Sequence, residues 1–266
     1  ISPAIEFYRL AAEHADTPHQ EALCWIAAAL LGTLVNGEVD HEGIELIRAA
    51  LRCCARRHYK GEEPVHVVVL NQIVRETAMW DNAALPTQFL QVFVEEFDSM
   101  DLPGNPALLI GEVLLGYGLS AEARQWLQVA HERSETPSEK ARILCMIGVS
   151  FLVEGGHQAA CEWFERTQKA EPEYSEAYAG MAQCHTYLME YDRASADISK
   201  ACELDPENEA YQELKEEIDK LSAHVIGLPR IDSEEIRSIF RTGDWLLFSV
   251  YKGPERGIYD LGPVVI

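Results

Sequence analysis

Adjacent acidic side chains occur at Glu62-Glu63, Glu95-Glu96, Glu216-Glu217 and Glu234-Glu235. General acid/base chemistry needs two carboxyls converging on one point. Sequence neighbours on a helix point in different directions, so these pairs read as solvated helix faces. Vicinal Cys53 and Cys54 would be strained as a helical disulfide and read as structural. The other cysteines (Cys24, Cys145, Cys161, Cys184 and Cys202) are scattered without a CxxC pair, a spacing that suits neither a metal site nor a disulfide framework. The nine histidines are dispersed and form no HExxH, and His185, beside Tyr187, reads as packed or surface-facing. Neither GxSxG nor GxxxxGK[ST] occurs, and Gly155-Gly156 lacks the lysine that a phosphate-cradling loop needs. The expectation is a chain without catalytic residues, metal or cofactor.

The charge narrows the partners. Among 266 residues, 22 are Lys or Arg and 44 are Asp or Glu, a formal net charge of −22. Nucleic acid and anionic lipid are bound by basic side chains that displace counterions, so both are disfavoured, whereas a basic partner suits this field. Hydrophobic residues make up 47%, enough for a packed core. Unpaired, apolar-flanked cysteines fit a reducing compartment, so a cytoplasmic location is expected. The longest apolar stretch, Ala22 to Val35, has 14 residues, short of a membrane span and without a basic leader.

The elements that would position any site come from an internal repeat. Gly111 is followed at offsets of 12, 16 and 19 by Ala123, Leu127 and Ala130. The same offsets link Gly148 to Ala160, Phe164 and Thr167, and Ala182 to Ala194, Ile198 and Ala201. A small residue on a first helix lets a second helix cross close to its backbone. A small residue answers it there, and a larger apolar side chain one turn on fills the remaining space. Gly118 and Gly155-Gly156 break the chain between helices, and Pro172 and Pro206 end the second helices. Three extra residues, Ser138 to Lys140, separate the first unit from the second beside Pro137.

These residues carry a family resemblance: Gly104–Pro137, Ala141–Tyr174 and Ser175–Asn208 resemble three tetratricopeptide repeats (TPRs), with "YDRASADISKACELDPEN" nearest the consensus. Glu135, Thr167, Ala182 and Met189 depart from it. The resemblance implies an all-α fold, an α-solenoid of helical hairpins.

The flanks extend this reading. Residues 1–103 are expected to be helical and degenerate, with helices at Pro3–His14, His19–Val35, His41–Tyr59, Pro64–Trp80 and Thr87–Phe97. An extra repeat across residues 20–55 would pair Gly32 with Gly43 and Ile47, and such divergent helices would cap the stack's N-terminal end. The TPR domain is placed at 104–223, ending in a capping helix, Glu209–Ala223, with Tyr211, Leu214, Ile218 and Leu221 on one face. Residues 224–266 form a non-repeat tail. It holds a short helix from Asp232 to Arg241 and then apolar runs at Trp245–Tyr251 and Ile258–Ile266, read either as a β-hairpin around "KGPERG" or as an extended segment.

The resemblance also implies a site. First helices of such repeats line a concave groove, here presenting Leu108, Glu112 and Leu115, then Arg142, Cys145, Val149 and Leu152, then Glu176, Ala179, Gln183 and Thr186. With Arg142 the only basic member, a clamp for an anionic peptide terminus is disfavoured. A hydrophobic segment of a partner protein, with basic flanks, fits instead. The functional expectation is a non-enzymatic adaptor or chaperone, similar in its repeat region to the shorter acidic chaperones of secretion cargo. Two alternatives stand beside it: a scaffold or homodimer whose Trp245–Tyr251 segment fills its own or a neighbour's groove, and an enzyme with an unrecognised site, for instance around His66 or Trp80.

Overall fold

The computed structural model describes residues 3–53, 64–78, 80, 84–100, 102, 104–226, 249–250 and 259–260. In chain order the helices are α1 (Pro3–Glu13), α2 (Pro18–Asn36), α3 (His41–Arg52), α4 (Val65–Thr77), α5 (Ala84–Ser99) and α6 (Pro106–Gly116). They continue as α7 (Ser120–Arg133), α8 (Pro137–Val153), α9 (His157–Ala170), α10 (Ser175–Tyr187), α11 (Tyr191–Leu204) and α12 (Glu209–Ile226). The chain forms two compact units, Ile1–Ile218 and Asp219–Ile266.

Within the first unit, helices pack in sequential hairpins: α2 with α3, α4 with α5, α6 with α7, α8 with α9, and α10 with α11. The first helix of each hairpin also touches the first helix of the next, so α2, α4, α6, α8 and α10 make a row. α7 packs on α8, and α9 on α10, closing each hairpin against its successor. Two hairpins therefore precede the three read as repeats. No break in packing falls at residues 103 and 104: Ile110, Leu114 and Ala123 share one core with Ile26, Ile47, Phe89 and Phe93.

Local sequence sets the helix starts. Thr17, Asn105 and Thr136 each cap a helix whose first residue is proline (Pro18, Pro106, Pro137), and each side chain accepts a bond from a backbone N–H three residues on. Proline suits that first position because its missing N–H would have had no partner there. Pro137, expected at the end of the first unit, thus opens α8, and Ser138 to Lys140 form α8's first turn instead of a linker. Pro172 and Pro206 lie two residues beyond the ends of α9 and α11, as expected.

The spacing of small and large residues is realised as close contact. A Cβ added to Gly111 would lie 2.6 Å from the Leu127 side chain, and one on Gly148 would lie 2.7 Å from the Phe164 ring. A third contact falls outside the repeated offsets: a Cβ on Gly180 would meet the same ring at 2.4 Å. Phe164 therefore packs against a glycine of its own hairpin and a glycine of the following one. The N-terminal assignment needs correction, because Gly32 faces Ile5 of α1 and it is buried Thr33 that approaches Gly43. α2 and α3 still form a hairpin, with Ile47 fully buried, but through a different helical face.

Polar links tie the outer helices together. Arg48 on α3 donates through Nε and Nη2 to both carboxylate oxygens of Glu96 on α5, each at 2.6 Å. Glu96 is buried, and its bonds to Arg48 hold its carboxyl below the usual carboxylate range. A lowered native pKa makes this link stabilising above the unfolded carboxylate range and removes that stability as pH falls through the lowered value. On α10 and α11, His185 Nδ1 lies 2.7 Å from Asp197 Oδ2. Burial raises the Asp197 pKa although His185 opposes the shift. His185, expected to be packed or surface-facing, is buried and paired.

At the C-terminal end of the first unit, Tyr211 and Ile218 of α12 pack with Ala179, Ala182, Ala194, Ile198 and Ala201, as a capping helix should. In the second unit, β1 (Ser249–Val250) pairs antiparallel with β2 (Tyr259–Asp260), with Ser249 opposite Asp260 and Val250 opposite Tyr259. This pairing brackets the "KGPERG" segment. That segment, the expected helix from Asp232 to Arg241 and Trp245–Phe248 lie outside the described residues.

Three substitutions test this account. Gly180→Ala is expected to cost about 1–3 kcal/mol by overpacking against Phe164, and Phe164→Leu should recover part of that loss, read as a non-additive double-mutant cycle in thermal unfolding. The turns between paired helices place Gly118 and Gly155 at φ of 75° and 80°, whereas the third places Met189 at 60°. Left-handed backbone strains a side chain, so Met189→Gly should raise stability by about 1 kcal/mol.

Candidate partner-binding surface

The row of first helices decides which of the expected groove residues face solvent. Leu108 packs with Leu127, Ala130 and Ile143; Cys145 with Phe164 and Ala177; Ala179 with Ala182 and Ile198. All three are buried and belong to the core. The family resemblance places them in the groove, whereas in this chain their side chains pack inward. Arg142, Val149, Glu176 and Gln183 are exposed, and Glu112, Leu115, Leu152 and Thr186 are half-buried.

The half-buried residues have defined surroundings. Leu115 packs beside the cores on either side of α6 and α7. Thr186 donates through Oγ1 to the Ala182 carbonyl at 2.7 Å, so its hydroxyl proton is used within α10. Arg142 on α8 donates to Glu112 on α6, an ion pair between consecutive first helices. Burial nevertheless lifts the Glu112 pKa above the usual carboxylate value, with Arg142 opposing it. Arg142, the one basic residue among the expected groove positions, is thus paired with a neighbour while remaining exposed.

Nucleophilic chemistry finds no support at this surface. Burial, with the nearby Glu176 charge, pushes the Cys145 thiol up to about 12. Such a thiol carries almost no thiolate at neutral pH. Tyr174 is raised by burial as well, with Glu176 adding to the shift. The Cys161 and Cys184 thiols are also raised, mainly by burial. Among the described residues no group of three or more His, Cys, Asp or Glu is placed to hold a metal ion. No described helix is long and apolar enough to cross a membrane. His66 and Trp80 are held by edge-on ring packing, against Phe97 at 5.5 Å and Phe89 at 6.0 Å respectively.

Two surface features escape the sequence reading. The turns between paired helices expose Tyr117, Val153, Tyr187 and Met189, and the Tyr187 ring stacks flat on His157, 4.4 Å between centroids. At the other end of the unit, a cavity of about 210 Å³ between α1, α2 and α4 is lined by Tyr8, Leu30, Leu31, Leu34, Glu76 and Trp80. The i, i+3, i+4 spacing of Ala27, Leu30, Leu31 and Leu34 carried the signal, but it reads equally as core.

Against known proteins, no family model and no curated protein matches the chain. Its neighbours among solved structures are TPR proteins that cover most of it. YrrB, described as a TPR protein with an unusual peptide-binding site, is 17% identical at a TM-score of 0.41, over 80% of this chain and 100% of that one. MamA of Desulfovibrio magneticus RS-1 is 15% identical at 0.39, over 65% and 96%. The TPR domain of P58(IPK) is 12% identical at 0.43, over 84% and 67%. The chain is all-α in its first unit, with helical hairpins in the sequential packing of a TPR-like solenoid.

The Glu112–Arg142 pair yields a measurable expectation. Arg142→Met removes the group that opposes burial, so the Glu112 pKa should rise further, read by NMR titration of its side-chain carboxyl carbon. An unchanged midpoint would mean that the ion pair does not persist in solution.

Proposed function

We propose that this chain is a non-enzymatic protein–protein interaction module, an adaptor or chaperone, that holds a hydrophobic segment of a partner along α6, α8 and α10. One observation carries the reading. Of the apolar residues expected in the groove, Val149 is exposed and Leu115 and Leu152 are half-buried, on first helices that also carry the exposed Arg142, Glu176 and Gln183. A strip that crosses successive helices suits an extended or helical segment with spaced hydrophobic anchors. The net charge of −22 favours basic flanks on that segment and accelerates encounter with it.

Chaperoning of an aggregation-prone segment, as in the secretion chaperones that the repeat region resembles, is the role such a strip serves best. Cys24, Cys145, Cys161, Cys184 and Cys202 carry no disulfide, which supports a reducing, cytoplasmic setting. With Cys145 buried at the strip's floor, the surface reads by shape and apolar contact, without covalent chemistry.

The partner segment, identified by affinity capture and synthesised as a peptide, provides the test. Leu115→Glu combined with Val149→Glu should weaken its binding tenfold or more in calorimetry while the circular dichroism spectrum stays helical. Gln212→Glu on the exposed side of α12 should leave affinity unchanged. Full affinity in the double variant would refute the reading.

A further inference from the structure

The α10–α11 hairpin holds a buried polar set that partner binding along α6, α8 and α10 does not use. Ala179, Ala182, Ala194 and Ala201 make most of the apolar contact between its helices, with Ile198. Alanine buries little area, so a polar link carries a larger share of the association here than in a core of large side chains. That link is His185. Its side chain is 11% exposed, with Nδ1 2.7 Å from Asp197 Oδ2 on α11 and Nε2 3.8 Å from Glu190 Oε2 in the turn. Asp197 is also largely buried, at 18%, whereas Glu190 is 43% exposed.

The two ring nitrogens respond differently to a proton. Nδ1–H can donate to the Asp197 carboxylate whether the ring is neutral or charged. At Nε2 the separation from Glu190 is too long for a hydrogen bond, so charge acts there: attraction when Nε2 carries a proton, and none when it does not. No neighbour substitutes for that proton. Arg193 on α11 donates to Glu190 at 2.8 Å and acts on Asp197 only as a longer-range charge. Cys161 on α9 lies near the Asp197, Glu165 and Glu190 charges, and Cys184 on α10 near Cys161 and Asp197; burial raises both thiols and keeps them neutral. His157, at the start of α9, stacks on Tyr187 beside the same turn. α8 and α12 bring Cys145 and Tyr211 to the opposite end of α10, beside Glu176 and Ser175. With the ring charged, His185 and Arg193 balance Asp197 and Glu190. With the ring neutral, one negative charge is left over where burial already disfavours the Asp197 carboxylate.

We propose that His185 is a proton-operated latch for the third hairpin: a proton at Nε2 draws the Glu190 turn and Asp197 onto α10, and its loss as pH rises loosens α11. Histidine is the side chain that ordinarily changes charge between about pH 5 and 8, so the latch answers to modest acidification. Asp197 acts with the same sign. A carboxyl raised on folding contributes stability at low pH that is lost as pH rises through the raised value. The latch is independent of what binds along α6, α8 and α10.

Amide hydrogen exchange of the full chain, read by mass spectrometry at about pH 5.5 and about pH 8 and corrected for intrinsic rates, tests the proposal. Protection of Tyr191–Leu204 should be about fivefold greater at the lower pH. His185→Gln can still donate to Asp197 but takes up no proton, and should flatten this dependence while the circular dichroism spectrum stays helical. Glu190→Gln keeps the His185–Asp197 bond and leaves His157 untouched, so a flattened dependence there is a result that a merely structural histidine would not give. Should His185→Gln unfold the hairpin, Glu190→Gln decides alone. An undiminished dependence in either folded variant, or protection in the unaltered chain that is constant or grows with pH, would overturn the proposal.

Discussion

Close approach between helix backbones is the constraint on which the solenoid rests, and the Phe164 ring is where it is most concentrated. The ring occupies space that a side chain at Gly148 or Gly180 would need, so it sets the separation within one hairpin and the spacing to the next. Helix pairs joined this way can only stack in sequence, and sequential stacking places α6, α8 and α10 side by side. The accessible strip follows from that adjacency. Its apolar members are what remains of the helix surface after the core has taken Leu108, Cys145 and Ala179.

The N-terminal hairpins reach the same arrangement by other means. Instead of a small residue facing a bulky one at fixed offsets, they use large side chains: Phe89, Phe93 and Phe97 on α5 and Ile26, Leu51, Leu70 and Ile73 around them. The Arg48–Glu96 fork fixes α3 against α5, a role that glycine-mediated contact plays further along. Aromatic filling tolerates more variation in position than backbone-to-backbone contact does, because a core accepts many combinations of similar volume.

This difference explains what could be read in advance. The three later hairpins were legible because glycine at a crossing is position-specific: Gly111 and Gly148 each point to one partner, Leu127 and Phe164. Gly180 was not, since its contact runs to the preceding hairpin and leaves no fixed offset within its own. The helices before residue 104 were legible as helices, and the α2–α3 hairpin with them, but not its contact face, as the Thr33–Gly43 contact lies on a face that spacing from Gly32 does not select. Of the candidate surface, the polar members Arg142, Glu176 and Gln183 are exposed. Leu108, Cys145 and Ala179, implied as groove residues by the resemblance, lie in the core, because a family pattern gives a position on the repeat and not the depth to which this chain's packing buries it. Pro137 misled for a related reason: the same residue type can terminate one helix or begin another, and only the Thr136 cap distinguishes the cases.

The unequal filling of the interior has a mechanical corollary. Phenylalanines and isoleucines gather around α4 and α5, whereas the contacts among α10, α11 and α12 are made mostly by alanines with Ile198, Tyr211 and Ile218. Alanine buries little area, so the final hairpin has less to lose on opening than the first ones. On heating, the contacts among α10, α11 and α12 should open before the aromatic block around α4 and α5 does.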